Sequence, residues 1–278
     1  MRNRMILAAL LATLVAGAAR GETPTLLSLI PVTPRIELPT GRYLFVPVPV
    51  DRILEPSGRK PLAGIYGGAN FAMHSGQFTI TEDGLTCCAF DDGTGIGIVV
   101  GAKAFIPITD AIDITPRVSF ETRPGKFTTL GAPLPILGAG NQVETMQFED
   151  QLNVSLAGLV LDPMASYTFT DFGLYATLGP SFSLVASKGF TKDETIANPN
   201  GVNYMTGGTA KRLLEGDLAN IESLQIAGRG GVGARIPLTE SIVLNPEALY
   251  TIPFTKVTTV DEWKTSGLQG TIGILFTL

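Results

Sequence analysis

From Leu62 onward the chain alternates apolar and polar residues with a period of two. That period belongs to strands with two unlike faces. It recurs in eight stretches, near residues 62–76, 93–107, 111–128, 146–169, 173–191, 220–237, 241–258 and 263–278. The third is the clearest: Ile112, Ile114, Pro116, Val118 and Phe120 share one face, while Asp113, Thr115, Arg117, Ser119, Glu121 and Arg123 share the other. In the second, Val99 and Phe105 depart from the pattern. In the fourth the apolar phase slips from Leu152, Val154 and Leu156 to Leu159 and Leu161, which predicts a β-bulge near Ala157-Gly158. Beyond the first ~20 residues no apolar run is long enough for a membrane helix. Charged residues make up 16% of the chain, against a usual ~25%, too few to cover a soluble surface of this size. An all-β fold with one face in lipid satisfies both facts: an eight-stranded antiparallel up-and-down transmembrane β-barrel.

The connections fit that layout. Links near 107–111, 169–173 and 237–241 are short, and those near 77–92, 129–145 and 192–219 are long; the link near 259–262 is short for its side. Short turns on one side and long loops on the other are the periplasmic and extracellular ends of such a barrel. An even strand count returns both ends of the barrel to the short-turn side. A partial repeat supports similar hairpins: Ile106-Pro107-Ile108-Thr109-Asp110-Ala111-Ile112 matches Ile236-Pro237-Leu238-Thr239-Glu240-Ser241-Ile242. Pro116, Pro163, Pro180 and Pro246 weigh against a closed sheet, where no edge hides a missing donor. All but Pro180 fall close enough to a short turn to be expected at the rim.

Periodicity does not say which face meets water. The polar face is rich in Gly and Ser, which suits a narrow interior, and the apolar face is too continuous for a small barrel to enclose. The expected arrangement is therefore inverted, with lipid outside and polar groups inside. Lys103, Arg117, Arg123, Arg229 and Arg235 then share the lumen with Asp113, Glu121, Asp162 and Glu247. Eight strands leave an interior just filled by side chains, so these charges are expected to pair. Such a network is expected to plug and stabilise the barrel ahead of forming a selective pore.

Arg2 and Arg4, the apolar run Met5–Val15 and the small residues Ala16-Gly17-Ala18 read as a secretory signal peptide over 1–21. Residues 22–60 hold seven prolines, from Pro24 to Pro56, and are expected to form an extended periplasmic segment, a linker in the plainer reading and a partner-binding arm in the other, with ladders and helices disfavoured. Residues 61–278 form the barrel.

Catalytic signals are thin. The single histidine, His74, stands beside Ser75 and is a candidate for acyl chemistry of the kind a lipid-modifying barrel performs; the plainer reading is a hydrogen-bonded rim histidine. Adjacent Cys87 and Cys88, in an oxidising compartment, are candidates for a vicinal disulfide stiffening the first long loop, or for pairing with another chain. No HExxH, phosphate-binding glycine loop or EF-hand spacing occurs, so no cofactor or metal is expected. The net charge of −5 gives no reason to expect nucleic acid.

The run Gly64-Ile65-Tyr66-Gly67-Gly68-Ala69-Asn70-Phe71, then His74-Ser75-Gly76-Gln77-Phe78, Cys87-Cys88-Ala89-Phe90 and Gly93 to Gly97, resembles outer-membrane β-barrel proteins (porin-family or PorT-like) of Bacteroidetes- and Chlorobi-type bacteria. Glu222-Ser223-Leu224-Gln225 and Trp263-Lys264 are similar to that family as well. The resemblance covers roughly 61–278. It implies an outer-membrane location, contact with outer-membrane lipid and insertion by the barrel-assembly machinery. That machinery favours a terminal aromatic; here Phe276 lies two residues before Leu278. The expected role is structural or passive, with at most small-solute passage and no catalysis. The alternatives are a barrel whose long loops bind an extracellular partner and a lipid-modifying enzyme using His74.

Overall fold

The computed structural model describes residues 35–37, 43–45, 58–82, 85–137, 142–198, 203–205 and 207–278. The signal peptide expected over 1–21 lies outside them. The chain divides into two units, 1–50 and 51–278. In the first, Arg35–Glu37 pairs antiparallel with Tyr43–Phe45. A ladder was not expected in this proline-rich segment. It forms in the two stretches that Pro34, Pro39 and Pro47 leave free, where every residue keeps its N–H.

The second unit is built on eight long strands: β1 (Leu62–Ser75), β2 (Gly93–Pro107), β3 (Ile112–Leu130), β4 (Val143–Thr168), β5 (Leu174–Asn198), β6 (Leu224–Ala234), β7 (Ile242–Pro253) and β8 (Lys264–Thr277). Each pairs antiparallel with the next, and β8 pairs with β1 from Lys264↔Ser75 to Thr277↔Leu62. The ring is therefore closed without an edge. Its two ends meet on the short-turn side, where the Leu278 amide donates to the Pro61 carbonyl.

The alternation sorts outward from inward along the large side chains of the barrel wall. Ile65, Ile96, Ile98, Val100, Val118, Leu161, Leu178, Val232, Ile252 and Ile272 are outward and exposed. Asn70, Lys103, Arg117, Glu121, Asp162, Arg229 and Glu247 are inward and buried. A water-soluble barrel has the reverse arrangement, so this wall is that of a membrane barrel. On β3 the outward apolar run ends at Phe120, nine residues from the start of the strand at Ile112, which matches the ~9–11 residues a tilted strand needs to cross hydrocarbon. Val99 and Phe105, the two departures on β2, point into the barrel.

Interior glycines let the strands come close. A Cβ on Gly231 would stand 2.0 Å from the Ala248 carbonyl oxygen, and one on Gly68 the same distance from that of Gly270. Gly231→Val is therefore expected to destabilise the barrel by about 1–3 kcal/mol through overpacking against backbone that cannot yield. The urea midpoint of the folded, heat-modifiable gel band measures it.

Three prolines share one row. Pro116 pairs with Pro163. The β4–β5 register, Leu178↔Ala165 and Phe182↔Leu161, sets Pro180 opposite Pro163. The ladder lapses between those two pairs, where both donors are missing, and resumes in the same register. Pro180 thus belongs to the same short-turn half of the barrel as the other prolines.

On the long-loop side much of what the sequence suggests as loop is strand. Phe78–Glu82 pairs with Leu85–Phe90, Leu134–Leu137 with the start of β4, and Ala210–Asp217 with β5. Beyond Val185, β5 continues for 13 residues, Ala186 to Asn198, or roughly 40 Å at ~3.3 Å per residue. The bulge expected at Ala157-Gly158 lies on the other strand. Gly158 pairs with Val185 and Ala157 with Ser187, so Ala186 is the extra residue. On β4 the even positions stay inward throughout, from Leu152 to Ser166. What changes near 157 is the environment of the inward face, apolar above and polar below.

Candidate functional site

Inside the wall the charges form two clusters, each centred on a bidentate arginine–carboxylate pair. Such paired N–H···O bonds are the strongest geometry available to a buried charge. In the lower cluster Arg117 on β3 donates from Nη1 and Nη2 to Glu247 on β7, at 2.5 and 2.6 Å. Lys103 on β2 donates to the same carboxylate at 3.1 Å, and the Tyr175 hydroxyl on β5 donates to it at 2.8 Å. Asn245 holds that hydroxyl by donating to it at 2.8 Å, and is itself anchored on the Ala234 carbonyl at 2.7 Å. The Lys103 ammonium lies 4.9 Å from the centre of the Tyr66 ring.

In the upper cluster Arg229 on β6 donates to both oxygens of Glu121, at 2.7 and 2.9 Å, and to Asp162 on β4 at 2.8 Å. Gln269 and Ser119 complete the shell of Glu121 at 3.2 and 3.1 Å. Two cations converge on Glu247 and two carboxylates on Arg229, so each cluster leaves one charge over and the pair together balances. Near the short-turn end, Arg235 and Arg59 both donate to Asp113, each at 2.9 Å. Arg235 also reaches the Thr168 hydroxyl.

Of the residues named from sequence, Lys103, Asp113, Arg117, Glu121, Asp162, Arg229, Arg235 and Glu247 thus meet in ion pairs. Arg123 is held differently, by Gln225 at 3.0 Å and Ser183 at 2.5 Å. Sequence reasoning missed Arg59, which lay in the segment taken as a linker. It also missed the neutral partners Tyr175, Asn245 and Gln269. Their inward parity was legible; their pairing across the lumen was not, since it depends on which strands face one another.

Above the charges the lumen meets an apolar cap. Phe90, Phe127, Leu152, Val154, Leu156, Val257 and Trp263 are buried together. The Trp263 ring lies edge-on to Phe127 at 5.8 Å. Its backbone is set by the last long-side loop, where the Val257 amide donates to the Trp263 carbonyl. His74 sits beneath. Its Nδ1 accepts from the Trp263 indole at 3.2 Å and lies 3.0 Å from the Thr265 hydroxyl, while Nε2 lies 3.0 Å from the Pro124 carbonyl. A carbonyl only accepts, so the proton is on Nε2. Ser75 is the next residue on a strand and points to the opposite, exposed face. The Ser75–His74 pair considered for acyl chemistry is not formed, and both ring nitrogens of His74 are engaged. Cys87 and Cys88 lie in the hairpin strand Leu85–Phe90, whose backbone pairs as given; their side chains, and the expected disulfide, lie outside the described residues.

Between cap and upper cluster the residual space around Arg123, Ser183 and Gln225 is about 20 Å³, room for no more than a water molecule. Below the lower cluster the barrel opens into a cavity of about 810 Å³ at the short-turn mouth.

No protein-family model matches the sequence, and no curated protein matches it. Among solved structures the chain is similar to several at low identity and low TM-score. The attachment invasion locus protein Ail of Yersinia pestis aligns over 78% of this chain and 99% of its own, at 12% identity and a TM-score of 0.29. The outer membrane protein OprG of Pseudomonas aeruginosa aligns over 80% and 98%, at 13% identity and 0.29. The outer membrane protease OmpT of Escherichia coli aligns over 81% and 99%, at 10% identity and 0.33.

Proposed function

We propose that this chain is a non-conducting bacterial outer-membrane barrel with a structural role, its filled lumen serving as a rigid core. The observation that carries the proposal is the closure of the lumen at two levels. The Arg229–Glu121–Asp162 cluster is buried across the barrel, and the apolar cap seals the mouth above it. A hydrated solute would have to break bidentate ion pairs and then cross a layer without polar partners, both of which are costly. In planar bilayers the purified chain is therefore expected to give no discrete conductance steps. Steady ohmic steps from the wild-type protein would return the solute-passage reading.

A second reading is favoured by the extensions of β3, β4 and β5. With short turns in the periplasm, these strands carry a paired sheet beyond the apolar band on the outer side, with Ala210–Asp217 added at one edge. Bulge and charge blunt that edge: Leu213 is an extra residue in its register, beside Lys211 and Arg212. A binding role would fall to the face and tip of this sheet, toward an extracellular partner. The resemblance to porin-family or PorT-like barrels is compatible with either role, and insertion by the barrel-assembly machinery is part of the same proposal. An enzymatic role for His74 is not favoured, because its nitrogens already hold the cap in place.

A further inference from the structure

The cavity at the short-turn mouth has the makings of a ligand site. Its volume of about 810 Å³ lies within the ~300–1,000 Å³ range of small-molecule pockets. The inner wall is apolar: Phe105 is buried, with Leu62 and Val243 packed on the same cluster. Beside it, the Arg235 guanidinium lies 5.2 Å from the Phe105 ring centre and 5.6 Å from that of Tyr175. Arg235 and Arg59 both lean on the carboxylate of Asp113, so among the described residues this inner group carries two positive charges against one negative. Arg59 also donates to the Thr109 carbonyl and Arg235 to the Thr168 hydroxyl; with five N–H donors on each guanidinium, the two together can share a second carboxylate.

The lip is charged the other way. Asp110, in the β2–β3 turn, and Asp171, in the β4–β5 turn, are exposed lining residues; among the described residues Lys60 is the one cation at the lip. A simple anion would be repelled at the entrance, and a simple cation within. The gradient suits a ligand with an anionic end, a cationic end and an apolar body. We propose that this cavity binds a short zwitterionic peptide with apolar side chains. Its terminal carboxylate meets Arg59 and Arg235, its amine meets Asp110 and Asp171, and a side chain lies against Phe105 and Val243. The sealed lumen above makes this a binding site with no transport path.

The test is calorimetric titration of the full-length chain in detergent with the dipeptide Leu-Leu. It requires neither a membrane orientation nor a conductance result, so its outcome is separable from that of the closed-lumen proposal. Saturable binding is expected. N-acetylation or C-terminal amidation of the dipeptide is expected to weaken it about tenfold each, as is Arg59→Gln, the scale of one charge-assisted hydrogen bond. Asp171→Asn is expected to weaken Leu-Leu but not its N-acetyl form. Heat-modifiable gel mobility shows that each variant is folded. Absence of saturation at millimolar dipeptide, equal binding of the doubly blocked peptide, or unchanged affinity in folded Arg59→Gln would each overturn the proposal.

Discussion

Replacing Glu247 with leucine is expected to lower the stability of the barrel by about 3–5 kcal/mol, the usual cost of leaving a buried charge without its partner. The effect should sit at the upper end of that range, because Glu247 is the shared acceptor for Arg117, Lys103 and Tyr175. Its loss leaves two cations that are direct neighbours on paired strands, Lys103 opposite Arg117, with no counter-charge between them. Arg117 and Lys103 are both buried, at 2% and 3% exposure, so water cannot replace the carboxylate cheaply. The urea midpoint of the heat-modifiable band, with the single variant and the triple variant Lys103→Met, Arg117→Met, Glu247→Leu side by side, reads the effect. The triple variant should recover most of the loss, since buried ion clusters exchanged whole for apolar side chains are often neutral or stabilising. A single variant within about 0.5 kcal/mol of wild type, the range of an ordinary surface change, would mean that water reaches the cluster and that the lumen is not filled.

Much of this interior was legible in the sequence, because parity alone decides which side chains face in. Arg117, Glu121, Arg229 and Glu247 all follow from one rule of alternation. What parity does not supply is height along the barrel axis and the identity of the partner across the lumen. Nothing in the spacing indicates that Arg229 would meet Glu121 and Asp162 while Arg123 turns to Gln225 and Ser183. Those choices are set by the stagger of eight ladders.

The misplaced bulge has a similar origin. A change of apolar phase has two physical causes, a turn of the strand or a change in what the inward face touches. On β4 it is the second: Leu152, Val154 and Leu156 face in because the interior above the charges is an apolar cap. The strand of the Ala210–Asp217 segment and the end of β5 from Lys192 onward fall in a stretch expected to be loop, because both are rich in charge. A sheet beyond the bilayer has no lipid-facing side, so its outward positions lose the hydrophobic signal that marked the barrel wall. Arg59 was lost to the prolines before it, although it is tied to Asp113 and to the Thr109 carbonyl at 2.7 Å.

The lipid-facing wall gives the other large expected effect. Ile98, inside the outward apolar run that β2 carries from Ile96 to Ile106, is outward and 62% exposed, flanked along the strand by Ile96 and Val100, also exposed. For a protein in water, arginine at such a position changes stability by no more than about 0.5 kcal/mol. In hydrocarbon the same change costs about 2–4 kcal/mol at mid-depth and falls toward zero at the interfaces. Ile98→Arg is therefore expected to destabilise the barrel by about 2–4 kcal/mol when refolded into lipid vesicles and followed by its urea midpoint. Thr128→Arg is the matched control, since Thr128 is outward and exposed on β3 beyond the point where the apolar run stops at Phe120; it should be close to neutral. The contrast between the two carries the argument. Both are exposed, both lie on strands, and both gain the same side chain. Only the surrounding medium separates them; Ile98 stands one step beyond the Val100↔Phe120 pair, beside Thr122, so a large cost there with none at Thr128 puts the edge of the hydrocarbon between Thr122 and Thr128. Equal, small costs at both sites would mean that the outward face of the ring meets water, and the inverted arrangement of this barrel would then have no solvent to explain it.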